Sequence, residues 1–139
     1  MKIFADSDVI ISSLISSSGA GYLLLHDPKQ DFFISNLSQR ELNAVMERLN
    51  IDKKRLRILI NNRLKKIELK EDTGKLKRKY GGYVTDINDA HIVAGAKKAK
   101  AKFLVSYNVR HFKIERIKRD FKITIITPAN LLQYLRSLN

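Results

Sequence analysis

Ile3-Phe4-Ala5-Asp6-Ser7-Asp8-Val9-Ile10-Ile11 is the stretch on which the fold turns. Its first three residues read as a buried strand, and the segment from Val9 reads as a helix. Between them stand two aspartates one residue apart. Carboxylates bracketed by apolar segments are poor candidates for surface decoration. In an open α/β sheet, ligands bind in the crevice outside the carboxyl ends of the strands, so Asp6 and Asp8 fall where a site is expected. Two negative charges this close repel each other, and a divalent cation is the simplest neutralising partner.

Outward from this stretch, short apolar runs alternate with helical patterns. Val9 to Ser17 reads as a helix stopped by Gly19, with a second helical piece from Gly21 to His26. Phe32-Phe33-Ile34 reads as a strand. Ser38 is a candidate N-cap, and Glu41 three residues later completes a capping box. The helix that follows has Leu42, Val45, Met46 and Leu49 on one face. Asp52 opens a helix with Leu56, Leu59, Ile60 and Leu64 inward. Lys66 to Leu69 reads as a strand, Thr73 to Lys79 as a basic helical turn ended by Gly81-Gly82, and Asp86 to Lys98 as a helix. Phe103-Leu104-Val105 and Ile123 to Ile126 are strands, and Pro128 begins the closing helix at its tolerated position. Strands alternating with helices predict a single α/β domain over 1–139, a mostly parallel sheet between two helical layers.

At 139 residues the chain is long enough to bury one core. The absence of cysteine excludes disulfides and thiolate metal sites. His26, His91 and His111 are too scattered for a zinc site. No apolar run approaches the roughly 18 residues of a spanning helix, and Asp6 and Asp8 interrupt the first segment where a secretory signal needs an apolar core. A soluble cytoplasmic protein is the expectation. The net charge of +13 favours polyanionic partners, chiefly nucleic acid. It is concentrated in two stretches, Asp52 to Lys79 and Lys97 to Lys122.

Five carboxylates and one amide fall at predicted strand ends or helix starts: Asp6, Asp8, Glu41, Asp86, Asp89 and Asn108. Each alone has an ordinary explanation. Asp8 suits a helix dipole, Glu41 a capping box, Asp86 an N-cap with Asp89 in the first turn, and Asn108 a turn. Together they gather acids at one edge of a strongly basic protein.

These residues resemble the motifs of the PIN-domain family, the nuclease fold of many toxin ribonucleases. Phe4-Ala5-Asp6-Ser7-Asp8-Val9-Ile10-Ile11 is similar to its opening motif, Ser38-Gln39-Arg40-Glu41-Leu42 to its second, Asp86-Ile87-Asn88-Asp89-Ala90-His91-Ile92 to its third, and Leu104-Val105-Ser106-Tyr107-Asn108 to its fourth. Ile125-Ile126-Thr127-Pro128 resembles its closing strand and helix. The resemblance implies that Asp6, Glu41 and Asp89 are catalytic and hold Mg²⁺ or Mn²⁺, with Asp86 or Asn108 completing the metal site. It implies single-stranded RNA as substrate. Members of the family are often homodimers, and often pair with an inhibitor protein, an antitoxin, that covers the acidic pocket. Asp8 departs from the family's frequent Asn, and Asn108 from its frequent Asp; the amide still offers an oxygen but brings no charge. Lys77, Arg78 and Arg110 are candidate phosphate contacts, and Tyr107 a surface on which a base can stack.

Two other readings compete. A haloacid-dehalogenase-like phosphatase also opens on a strand and Asp-x-Asp, and Ser35 and Asp86-Ile87-Asn88-Asp89 resemble its later motifs. Val9-Ile10, however, stand where that family has Gly-Thr. The other is a basic RNA-binding module whose acids are degenerate.

Overall fold

Successive side chains of a strand point to opposite faces of the sheet, and here both faces are apolar, the mark of a sheet covered on both sides. The computed structural model describes residues 1–138; Asn139, included in the expected domain, lies outside them. Five strands, β1 (Lys2–Ala5), β2 (Asp31–Ser35), β3 (Leu64–Ile67), β4 (Phe103–Val105) and β5 (Thr124–Ile126), form one sheet in the order β3-β2-β1-β4-β5. Every pairing is parallel.

Ile3, Ala5, Phe32, Ile34, Phe103 and Val105 face one layer. It comprises α1 (Ser7–Ile15), α2 (Ala20–Leu25), α3 (Asn36–Arg48), α4 (Lys53–Arg63) and α8 (Pro128–Ser137). The intervening Phe4, Phe33 and Leu104, with Ile125, face the other. That layer comprises α5 (Thr73–Tyr80), α6 (Ala90–Lys98) and α7 (Ile114–Phe121). The chain builds β1, β2 and β3 toward one side, then crosses back to add β4 and β5 on the other. The switch point therefore lies between β1 and β4, and a crevice is expected beyond their carboxyl ends.

Three elements differ from the sequence reading. First, α3 begins at Asn36, because Ser35 at the end of β2 is the N-cap: its Oγ accepts the Ser38 N–H at 3.0 Å. Ser38 is not the cap, so no capping box forms and Glu41 is free of that duty. Leu49, expected inward, is 53% exposed just past the end of α3. Second, β3 starts at Leu64, directly after α4. Arg63 fixes this turn by donating to the carbonyls of Leu25 and Asp27 at 2.7 and 2.6 Å. Third, α7 occupies a segment that carries no element in the sequence reading.

Gly95 on α6 decides how closely that layer sits. A Cβ there would lie 2.6 Å from the ring of Phe4, which is wholly buried in β1. Gly95→Ala gains up to about 1 kcal/mol of helix propensity but overpacks a filled core, at a cost of about 1–3 kcal/mol. We expect a net loss of stability, measured as a lower denaturant midpoint with unchanged slope. A midpoint equal to or above the parent's would mean that the Phe4 ring has room to move.

Candidate active site

Asp6 closes β1 and caps α1. Its Oδ1 accepts the Ser7 N–H at 2.8 Å, and its Oδ2 accepts the Ser106 hydroxyl at 2.8 Å. Ser106 follows β4 and is fully buried. The two strands flanking the switch point, already paired along their backbones, are thus also tied by a side-chain hydrogen bond just beyond their carboxyl ends. Asp8, in the first turn of α1, turns toward the same loop. Its Oδ2 accepts the Tyr107 N–H at 3.0 Å and the Asn108 Nδ2 at 3.1 Å, with the Ser106 hydroxyl at 3.3 Å. The Asn108 N–H donates back to Ser106 Oγ at 3.0 Å. An ionised carboxylate can only accept, so the amide nitrogen of Asn108 must face Asp8 and its oxygen is turned elsewhere. Asp8 Oδ1 is buried and has no partner among the described residues.

The other two acids come from the flanking helices. Glu41 on α3 reaches across to α6, its Oε1 2.7 Å from Nε2 of the nearly buried His91. The Nδ1 of that ring is buried without a partner among the described residues. Asp89 sits in a 3-10 turn (Ile87–Asp89) that leads into α6, with its Oδ2 3.8 Å from His111 Nδ1. Asp86 caps that turn, accepting the Asn88 N–H at 3.0 Å, and is exposed.

These acids share one electrostatic field. Burial, then the charge of Asp8, pushes the Asp6 carboxyl up to about 6; hydrogen bonds from Ser106 and Ser7 oppose this, and Glu41 adds to it. Asp8 is raised by burial against the hydrogen bonds that it accepts. Asp89 is raised by burial and by the charges of Asp6 and Asp86, with His111 opposing. Asp6, Glu41 and Asp89, from three separate segments, thus lie close enough to act on one another at the switch point, with Asp86 acting on Asp89 from the same turn. Among the described residues no three His, Cys, Asp or Glu side chains are drawn together as a ready-made cation site. Glu41 is paired with His91, and Asp89 faces His111.

Of the candidate nucleic-acid contacts, Tyr107 and Arg110 flank Asn108 and are exposed. The Tyr107 hydroxyl rests 3.2 Å from Ser12 Oγ. Lys77 and Arg78 lie in the last turn of α5, which packs against α6 and the turn bearing Asp89. Three side chains that organise the crevice had no role in the sequence reading: Ser106, His91, and Asp8 as a clamp on the β4 loop. Ser106 carries a legible signal, since a small hydroxyl two residues before Asn108 ends a buried strand. The pairing of His91 with Glu41 has none, because it depends on how two helices pack.

Fold and site together define a parallel α/β protein with acidic side chains gathered at its switch point. The profile of the PIN domain matches residues 2–110, most of the chain, and the chain belongs to that family. A chain of the crystal structure of VapBC2 from Rickettsia felis, bound to a DNA fragment from their promoter, is similar in fold. The likeness has a TM-score of 0.64 at 18% identity, over 91% of this chain and 98% of that one. No curated protein matches in sequence. No helix of the described residues is long and apolar enough to cross a membrane.

Proposed function

We propose that the chain is a cytoplasmic, Mg²⁺- or Mn²⁺-dependent ribonuclease that hydrolyses phosphodiester bonds of single-stranded RNA. In this reading it is the toxin of a toxin–antitoxin pair, restrained by an inhibitor protein and active as a homodimer. The observation that carries the catalytic part is the buried, mutually repelling carboxylate set around Asp6. Its donors are all hard oxygens, the kind that Mg²⁺ and Mn²⁺ favour. Asp8 Oδ1 is an orphaned buried acceptor, and the raised Asp6 and Asp89 describe a pocket short of positive charge.

Asp6, Glu41 and Asp89 would hold the ion, with Asp86 and Asn108 beside them; Glu41 would exchange His91 for it. The bound ion supplies an activated water and offsets the charge of the incoming phosphate. The rest is the work of the chain itself. Ser106 and the N-terminus of α1 fix the Asp6 carboxylate, and Asp8 holds the Ser106–Asn108 loop at the mouth of the crevice. Tyr107, exposed and anchored through its hydroxyl, offers a face to a base. Arg110, Lys77 and Arg78 bind flanking phosphates and so fix the register of the strand.

The test is incubation with a mixed RNA pool and with small phosphomonoesters, in Mg²⁺, in Mn²⁺ and in chelator. Cleavage of RNA is expected with either ion and not in chelator, and the phosphomonoesters should stay intact. Undiminished cleavage in chelator would overturn the metal requirement. Turnover of phosphomonoesters would favour the phosphatase. RNA bound equally with and without metal, and left uncut, would mean a degenerate binding module.

A further inference from the structure

The two ends of the basic stretch from Lys97 to Lys122 lie at the pole of the molecule opposite the acidic crevice, while the segment from Ser106 to His111 between them borders that crevice. Lys102 directly precedes β4, and Lys122 lies two residues before β5. Both therefore stand at the amino ends of the strands. There, Lys97, Lys100, Lys102 and Lys122 line a hollow of about 450 Å³ with Asp120 and Phe121. All four lysines are exposed, and none is paired with a carboxylate among the described residues. The Lys97 ammonium is held over the Phe121 ring, 5.0 Å from its centroid. The one acid of the hollow is already engaged: Asp120 accepts the Tyr83 hydroxyl at 2.6 Å and Arg119 Nε at 3.0 Å.

Lysines near helix C-termini are commonly explained by the helix dipole, and Lys97 fits that account. Lys100 and Lys122 do more. Their φ values are 56° and 60°, in the left-handed region where a helix-ending residue is usually glycine. Any other residue there costs roughly 1–2 kcal/mol. The backbone calls for glycine at two separate places on this pole, and lysine stands at both. A strained lysine points to a demand for charge that folding does not make.

We propose that this lysine pole is a second nucleic-acid contact, taking the phosphate backbone of an RNA whose other part lies at the acidic crevice. The proposal rests on the ribonuclease reading above. Three features favour an RNA backbone over an acidic polypeptide. The cations are lysines, point charges that bind phosphates without reading sequence. None of the lining residues is an exposed large hydrophobic, whereas protein interfaces need buried apolar or aromatic anchors at their core. The span is also short: β4 is three residues long, so the two poles are separated by roughly 10–15 Å at about 3.3 Å per residue. An RNA of moderate length can reach both.

The experiment compares binding of a short RNA of about 6 nucleotides, enough for one pole, with one of about 30 nucleotides. The full chain is used with Mn²⁺ and phosphorothioate RNA, which resists cleavage, so that the crevice can accept a phosphate while the RNA stays intact. The variants are Lys100→Glu/Lys102→Glu/Lys122→Glu and the milder set of Gln at the same positions. Unchanged melting temperatures verify their folding, and the Gln set serves if the Glu set fails to fold. Affinity for the long RNA should fall about tenfold, with a salt slope shallower by about 2, as expected for three lost phosphate contacts on a single strand. Cleavage of the short RNA with ordinary phosphodiester bonds, which needs the crevice alone, should change less than twofold. Equal effects on both lengths, or none on the long RNA, would overturn the second contact while leaving the ribonuclease reading intact. Loss of polyglutamate binding without loss of long-RNA binding would overturn it in favour of an acidic protein. A parent protein that neither binds nor cuts RNA would overturn both readings.

Discussion

Replacing Asp6 with Asn is expected to lower RNA cleavage by at least about 100-fold, the several kcal/mol that a metal ligand contributes, and to make the metal-free protein more stable. The two effects have one cause. Asn keeps the local structure: its oxygen caps a helix about as well as Asp, and its NH2, in the place of Oδ2, can donate to Ser106 Oγ, whose hydroxyl hydrogen is then free to turn to Asp8. What it removes is a carboxylate that is expensive to ionise in place. The Asp6 carboxyl is pushed up to about 6, chiefly by burial and then by Asp8, from 3.8 in an ordinary setting.

The sign follows from proton linkage. Between those two values the folded state binds more protons than the unfolded state, so stability falls as pH rises through that window. The penalty is fully present above about pH 6 and absent below about pH 4. The variant lacks it, and its advantage at pH 7 should reach about 2–3 kcal/mol, a shift of about two units at about 1.4 kcal/mol each. Urea unfolding in chelator at pH 4, 5, 6 and 7 measures it directly. An advantage that did not grow with pH would mean that Asp6 is not strained by its surroundings. Cleavage at the parent rate would remove Asp6 from the ligand set.

Glu41→Gln should cost RNA cleavage about as much, with little change in stability. The cap of α3 belongs to Ser35, so the helix start is untouched. Gln keeps the length of Glu and an oxygen that can accept from His91. Only the charge offered to a metal is lost. The useful readout is therefore a split: cleavage down by about 100-fold or more, weaker Mn²⁺ binding by titration, and a melting temperature close to the parent's. Full activity would leave Glu41 as a partner of His91 and nothing else.

How much of this was legible beforehand depended on whether neighbours along the chain or across space decide each feature. β4 was readable to the residue, because Phe103-Leu104-Val105 is a bounded apolar run. The parallel sheet followed from the alternation of such runs with helical periods. The acids were readable as a set, since their excess at strand ends stands out against a charge of +13. β3 was misplaced because Leu64 continues the inward period of α4. The turn before it is enforced by Arg63 reaching carbonyls about 36 residues away, which periodicity does not register. α7 was obscured because Ile114, Ile117 and Phe121 carry its apolar spacing amid basic residues that drew attention as charge. In the crevice, the sequence named the carboxylates and Asn108 but not the pairings between them: Ser106 and Asn108 reach Asp6 and Asp8 across 100 residues.

That last separation governs when the crevice exists. β1 is made before β2 and β3, yet its neighbour at the switch point is the still later β4, with Ile3 opposite Phe103. A growing chain that has completed β1, β2 and β3 carries Asp6, Asp8 and Glu41 but has neither Ser106 to seat the aspartates nor Asp89 to face them. Pairing of this kind is among the slow events of folding, because distant segments must meet before contacts stabilise them. Whatever chemistry the acidic edge performs therefore begins only after translation has passed Asn108 and the fourth strand has docked beside the first. Fragments ending short of that point lack the loop that seats Asp6 and Asp8, and so lack the finished acidic edge.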